Sequence, residues 1–256
     1  MDEHLVIAIP SRFGATRLPG KPLREVAGKT LIAHVIERAL ELSAEVVVAT
    51  DDQRIARIAT AYSVKSVMTR SDHATGSDRL AEVAAQLRWS DSTLVVNLQG
   101  DEPLMPIDCL RAVVDALRDD PGAAAATLMT PIVHMHEVLD PSCVKVVCDQ
   151  QSRALYFSRA PIPWARDAWS GARDTMPASP VYRHLGLYAY RAVTLRRFAQ
   201  LPQSPLERIE SLEQLRLLEN GLAIAVRVAP QEIPAGVDTE ADLQRVEALL
   251  LQRRDL

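Results

Sequence analysis

Ile7-Ala-Ile-Pro-Ser-Arg-Phe-Gly-Ala-Thr-Arg-Leu-Pro-Gly-Lys-Pro22 joins a short apolar run, Leu5–Ile9, to a loop carrying three cations, Arg12, Arg17 and Lys21. Gly14 and Gly20 let the loop bend, while Pro10, Pro19 and Pro22 narrow its choices. Open α/β sheets bind ligands beyond the carboxyl ends of their strands. A cationic loop leaving a buried strand, with free backbone N–H groups, suits a polyphosphate; the same residues also fit a solvated basic loop. It is not a Walker A loop. Gly28-Lys29-Thr30 resembles the tail of one, but the leading glycine would have to stand where Leu23 is. The G-x-G-x-x-G dinucleotide fingerprint does not follow the first strand either.

The loop must supply local positive charge, because the whole chain carries a formal net charge of −4. That balance gives no general case for nucleic-acid binding. With 256 residues, 48% of them apolar, the chain can fill the core of one large α/β domain or two modest ones. It opens on acidic Met1-Asp2-Glu3-His4, unlike a secretory signal, and has no run near the roughly 18 apolar residues of a membrane span. The expectation is a cytoplasmic protein without stable membrane association. Cys109, Cys143 and Cys148 do not form a disulfide framework, and His134-Met-His136 lacks a nearby third metal ligand.

Apolar periodicity predicts alternating strands and helices through the first half. Strands are expected at Leu5–Ile9, Val46–Ala49, Ser66–Met68, Thr93–Leu98 and Ala124–Met129. Helices are expected at Leu31–Leu42, through Ile55, Ile58 and Ala59, from Ser77 or Asp78 to about Trp89, and at Asp108–Leu117. Repeated βα units with apolar strands imply a largely parallel sheet covered by helices. The second half changes character. Val144–Val147 and Ala154–Phe157 read as adjacent strands, Ala160–Pro180 as a long mobile excursion, Tyr182–Tyr190 and Ala223–Val228 as strands. Helices are expected at Glu207–Leu218 and Thr239–Leu250. The organisation is one α/β domain, 1–256, with a partly antiparallel insertion.

Asp101 follows the strand Leu94–Leu98 and a glycine, which puts a carboxylate at the ligand edge of the sheet. It suits Mg²⁺, which takes one or two carboxylates plus phosphate oxygens and water, and it also suits a turn aspartate. Asp238 fits the N-cap of the last helix best from local sequence, with a metal role open. His73-Ala-Thr-Gly-Ser-Asp-Arg79 fits either a base- or ribose-reading segment or a helix cap. His184, Gly186 and Tyr188 alternate along one strand and share a face. On the expected helix Glu207–Leu218, Glu210, Glu213 and Gln214 share a face opposite Ile209, Leu212, Leu215 and Leu218. Arg159 closes a strand with a guanidinium suited to a carboxylate ligand.

In order, the blocks IPSRFGATRLPGKPL, ATDD, HATGSDRLAEV, VNLQGDEP, VKVV, LYFSRAPIPW, RHLGLYAYR, SPLERIESLEQLR and GVDTEADL resemble the 3-deoxy-manno-octulosonate (Kdo) cytidylyltransferases over nearly the whole chain. The opening loop is shared with other nucleotidylyltransferases; YFSRAPIPW, RHLGLYAYR and LEQLR are more particular to the Kdo enzymes. The resemblance implies a Rossmann-like nucleotide-diphospho-sugar transferase fold with a mixed, mostly parallel sheet. It implies a sugar-binding and dimerisation subregion over about 131–200, a homodimer, and Mg²⁺ dependence. CTP and Kdo would give CMP-Kdo and pyrophosphate for lipopolysaccharide synthesis. By motif position, Arg12 and Lys21, assisted by Arg17, would hold the CTP phosphates, and Arg12, Lys21 and Asp101 would be catalytic. Thr75, Arg79 and Gln99 would contact cytidine. Asp101 and Asp238 would bind Mg²⁺, and Arg159, His184, Tyr188, Glu213 and Gln214 would grip the sugar acid. The chain departs from the family at Ala15, where Ser is usual, and at Ser77-Asp78, where Thr-Glu is common. Alternatives are a cytidylyltransferase for 8-amino-Kdo or sialic acid, and a non-catalytic nucleotide sensor on the same fold.

Overall fold

The computed structural model describes residues 4–14, 18–42, 45–73, 75–171 and 175–254. Ala15 and Arg17 lie outside the described residues, as does part of the expected 160–180 excursion. In chain order the first elements are β1 (Leu5–Ser11), β2 (Glu25–Val26), β3 (Lys29–Thr30), α1 (Leu31–Leu40), β4 (Glu45–Thr50), α2 (Gln53–Ala61) and β5 (Lys65–Met68). Then come α3 (Gly76–Gln86), β6 (Leu94–Asn97), α4 (Ile107–Asp119), β7 (Ala125–Pro131), α5 (Met135–Leu139), β8 (Lys145–Cys148) and β9 (Ala154–Ser158). The chain continues through β10 (Tyr182–Arg191), α6 (Ala192–Gln200), α7 (Pro205–Glu210), α8 (Leu215–Glu219), β11 (Ile224–Val228) and α9 (Glu240–Arg254). It divides into two compact units: Met1–Arg111 with Tyr190–Ala199 and Ile233–Leu256, and Ala112–Ala189 with Gln200–Glu232.

In the first unit β1 pairs in parallel with β4 on one side and β6 on the other, and β4 pairs in parallel with β5. Val6, Ile7, Ala8 and Ile9 are fully buried, as a strand covered on both faces requires. The three larger side chains, Val6, Ile7 and Ile9, each contribute on the order of 1.5–3 kcal/mol by leaving water. Ser11 stands opposite Thr50, so the loops leaving β1 and β4 emerge at the same edge. Asn97, at the end of β6, is aligned with Ala8 and sends its own loop the same way. A second apolar cluster joins Leu18, Val26 and Leu31 to Leu104, Val237, Leu243 and Val246. It holds the end of the cationic loop, the turn after β6 and the start of α9 together.

The second unit is mixed. β7 and β11 run parallel, β8 and β9 form an antiparallel hairpin, and β10 runs antiparallel to β8. The excursion after β9 is fastened at Trp169, which is 3% exposed and packs with Ile132, Val138, Cys143 and Val181. Reading that stretch by its Pro, Gly and Ser content alone misses this anchor.

Three boundaries differ from expectation for physical reasons. The cap of α3 is Thr75, not Ser77 or Asp78: its hydroxyl accepts from Asp78 N at 3.1 Å. The cap of α9 is Thr239, not Asp238: Asp242 N donates to Thr239 Oγ1 at 3.2 Å and Thr239 N to Asp242 Oδ2 at 3.0 Å, which leaves the Asp238 carboxylate for another task. The expected helix Glu207–Leu218 is two helices, α7 and α8, broken at Ser211 with φ 53°. Across the break Ile209, expected to be buried, is 79% exposed, while Gln214, expected on the polar face, is buried. A bidentate pair from Arg216 to Glu207, buried on both sides, ties the two helices.

Candidate active site

The site in the first unit grows from Lys21. Gly20, at φ 65°, turns the chain into a single 3-10 turn, Lys21–Leu23, whose Pro22 is preset for that start. Lys21 Nζ donates to Asp101 Oδ2 at 2.6 Å, to Val237 O at 2.8 Å and to Asp238 Oδ1 at 3.1 Å. Three segments remote in sequence therefore meet at one ammonium. The Lys21 side chain is 15% exposed against 31% for Asp101 and 50% for Asp238, so the carboxylates keep oxygen surface open to a ligand. Two hard oxygen donors of this kind fit a divalent cation that draws its other ligands from phosphates and water. No cluster of three His, Cys, Asp or Glu side chains able to hold a metal occurs among the described residues, so such a cation would depend on ligand oxygens.

Glu102, beside Asp101, is not a competing donor. Its Oε2 is enclosed without a hydrogen-bond partner among the described residues. Burial, with the Asp101 charge adding to it, pushes its pKa up to about 8, so it stays neutral near pH 7.

Lys21, Asp101 and Asp238 open onto a cavity of about 300 Å³ that Arg12, Thr75, Arg79 and Gln99 also line. Arg12 is exposed. Gln99 Nε2 donates to Asn97 Oδ1 at 3.1 Å, which orients the amide. The Thr75 hydroxyl is engaged at both ends by Asp78, accepting from its N–H and donating to Oδ2 at 2.9 Å. Arg79 is 3% exposed and donates to Thr69 Oγ1 and to Asp51 Oδ2. At Gly100 a Cβ would lie 3.0 Å from Pro10 O and 3.2 Å from Ser11 Oγ; the close approach of the β1 and β6 loops needs a glycine there.

In the second unit Arg159, expected to meet an acid, lies close to a second cation, Lys145. Arg159 Nε donates to Glu210 O at 2.7 Å and Nη1 to Pro141 O at 2.9 Å. Fully buried Lys145 donates to Asp140 O at 2.9 Å and Arg159 O at 2.7 Å, and burial holds its pKa below the usual lysine value. The Glu210 carboxylate accepts from Ser158 Oγ and the Arg159 N–H rather than from the guanidinium. Glu213 and Gln214 follow on the same turn, and Gln214 Nε2 is enclosed without a partner among the described residues. His184 and Tyr188 pack ring to ring at 5.4 Å, with Phe157 edge-on to His184 at 4.8 Å. The space beside Gly186 is open. The Thr127 hydroxyl lies within hydrogen-bond reach of Leu185 O, Leu187 O and His184 Nε2. Its single proton goes to a carbonyl, so His184 Nε2–H donates to it and Nδ1 keeps a lone pair.

A family model described as Cytidylyltransferase matches residues 6–226. The chain is 54% identical over 256 residues to the 3-deoxy-manno-octulosonate cytidylyltransferase of Methylococcus capsulatus, covering 99% of both chains. The chain belongs to the 3-deoxy-manno-octulosonate cytidylyltransferase family. It is 51% identical over 250 residues to the enzyme of that name from Halorhodospira halophila, covering 97% of each. The solved structure of a CMP:2-keto-3-deoxy-manno-octonic acid synthetase complexed with CTP superposes with a TM-score of 0.88 at 43% identity, covering 98% of this chain and 100% of that one. A 4-diphosphocytidyl-2C-methyl-D-erythritol synthase, 13% identical with a TM-score of 0.64 and covering 98% and 99%, shares the fold alone. The mixed, mostly parallel sheet is therefore that of the nucleotide-diphospho-sugar transferases.

Two further residues stand at or next to the cavity without having been singled out from the sequence. Ser11 lines the cavity, 3% exposed, with a hydroxyl that has no partner among the described residues. Its position, last in β1 and next to Arg12, is the signal that points to it. Asp51 reaches both the loop and Arg79, and its signal is the carboxylate directly after a buried strand.

Proposed function

We propose that the protein transfers the cytidylyl group of CTP to Kdo, giving CMP-Kdo and pyrophosphate and so supplying activated Kdo for lipopolysaccharide synthesis. The observation that carries this reading is the convergence of Lys21, Asp101 and Asp238 on a cavity lined by Arg79 and Gln99, in a chain with the family relationship above.

The anomeric hydroxyl oxygen of Kdo bonds to the α-phosphorus of CTP while the bond to the bridging oxygen breaks. The hydroxyl proton passes to solvent, and the electron pair leaves with pyrophosphate. Such a transfer rests on positioning and charge neutralisation rather than on a protein nucleophile. Arg12 and Lys21, assisted by Arg17, hold the phosphates and offset charge on the departing pyrophosphate. Phosphate oxygens give Lys21 an alternative to the carboxylates it now meets. Thr75, Arg79 and Gln99 contact the cytidine. Asp101 and Asp238 would hold Mg²⁺, which when bound neutralises phosphate charge and acidifies the attacking hydroxyl.

Arg159, His184, Tyr188, Glu213 and Gln214 hold the sugar acid. The Arg159 guanidinium donates to main-chain carbonyls, which fix its direction, while the Glu210 carboxylate close by offsets part of its charge; a guanidinium so oriented suits a ligand carboxylate. Neutral His184 offers Nδ1 as an acceptor for a sugar hydroxyl. The enzyme works in the cytoplasm as a homodimer; no helix among the described residues is long and apolar enough to cross a membrane.

Pyrophosphate release with CTP and a panel of Kdo, 8-amino-Kdo and sialic acid, with and without Mg²⁺, tests the reading. Turnover is expected with Kdo and only when Mg²⁺ is present. Turnover with sialic acid alone would overturn the substrate, and CTP binding without pyrophosphate release from any acid would make the protein a nucleotide sensor.

A further inference from the structure

The described part of the cationic loop is fastened at Phe13. Its backbone N–H donates to Asp51 Oδ1 at 3.0 Å, and its ring lies 4.0 Å beneath the Arg54 guanidinium. Arg54 is itself forked onto Asp52, Nε to Oδ1 at 3.0 Å and Nη2 to Oδ2 at 2.6 Å. The far edge of the ring faces Gly20, where a Cβ would come within 3.2 Å of it. The two adjacent carboxylates that end β4 thus govern one residue: Asp51 holds its backbone, and Asp52, through Arg54, holds its ring.

Asp51 has a second engagement. While Oδ1 takes the loop N–H, Oδ2 accepts from Arg79 Nη2 at 3.3 Å. Its side chain is 13% exposed and that of Arg79 3%, and Arg79 lines the cavity whereas Asp51 does not. We propose that Asp51 is a positioning residue that locks the phosphate loop and Arg79 into one frame. The triphosphate and nucleoside ends of the ligand then meet a preset spacing. A carboxylate is required because both acceptors are used at once. An asparagine offers one oxygen, and its amide would turn N–H groups toward either Phe13 N or Arg79.

The proposal rests on the nucleotide reading given above, and its test separates the two. Affinities for CTP and CMP are measured by calorimetry for the wild type, Asp51→Asn and Phe13→Leu, with thermal midpoints recorded beside them. Asp51→Asn is expected to weaken CTP binding about tenfold, the equivalent of one charge-assisted hydrogen bond. It should also narrow the CTP-to-CMP affinity ratio, because an unfastened loop loses chiefly the outer phosphates. Phe13→Leu keeps the backbone bond and loses the ring clamp, so it should narrow the same ratio less; it also serves if Asp51→Asn does not fold. Equal losses for CTP and CMP in folded variants would mean a merely structural role and overturn the proposal. A wild type that does not prefer CTP over CMP would overturn the nucleotide reading, and the proposal with it.

Discussion

In the first unit the central cation, Lys21, meets the carboxylates of Asp101 and Asp238, whereas in the second unit Arg159 and Lys145 rest on main-chain carbonyls. The two arrangements have different chemistry. A carboxylate–ammonium contact is exchangeable, since phosphate can take the ammonium and a divalent cation can take the carboxylates. A carbonyl carries only a dipole, so it fixes the direction of a cation without cancelling its charge. The first pattern suits a site that must rearrange around a triphosphate, and the second suits one whose cations are held in a fixed direction, with the Glu210 carboxylate near enough to offset part of their charge.

The sharpest way to break the exchangeable side is Asp101→Asn. It keeps shape and hydrogen-bonding capacity but removes one of the two charges expected to hold the metal. Turnover should fall about 10³-fold, the scale of losing one electrostatic stabiliser at the reacting centre, with the thermal midpoint little changed. Near-normal steady-state turnover would take Asp101 out of the metal site.

Arg159→Gln probes the carbonyl-held side. A charge-assisted hydrogen bond contributes about 1.5–3 kcal/mol, so KM for Kdo should rise roughly 10–100-fold. KM for CTP should stay within about twofold if the guanidinium serves the acid alone, an expectation that rests on the nucleotide being held by other residues. A parallel rise in both constants would mean that Arg159 acts on the architecture, through Pro141 O and Glu210 O, instead of on the acid.

How much of each side could be read beforehand follows from the kind of structure that carries it. The parallel core was legible because Leu5–Ile9 and Val46–Ala49 are apolar on both faces and helix-period runs lie between them. Lys21 stood out as a cation of the loop after β1 and Asp101 as a carboxylate just past the end of β6. Asp238 did not, because Asp is the better cap by local preference, and only the Thr239–Asp242 exchange shows that Thr239 takes that place. The break at Ser211 left no mark: neither Gly nor Pro stands there, and the apolar spacing runs on across a left-handed residue. The residues expected to hold the sugar acid stood out one by one on strand and helix faces, and the family resemblance gave them their common role. The contacts that orient Arg159 are carbonyls of Pro141 and Glu210, which no side-chain pattern encodes.

The smallest effect concerns whether His184 adds a further charge to the second unit. Burial, with the nearby Arg183 charge adding to it, pushes its pKa down to about 3 from the ordinary 6.5. Between those values the unfolded chain takes up a proton at this ring and the folded chain does not. The stability due to the neutral ring is therefore complete above about pH 6.5 and is lost as pH falls toward 3, by at most about 1.4 kcal/mol per pH unit. Urea unfolding of the wild type and His184→Gln, measured from pH 7 down to 4, isolates that slope, since all other groups titrate alike in both. The gap between the two should shrink or reverse in acid. Parallel curves would mean that the folded ring takes up its proton at the same pH as the unfolded chain, so that it would be charged, and its Nδ1 lost as an acceptor, only below about pH 6.5.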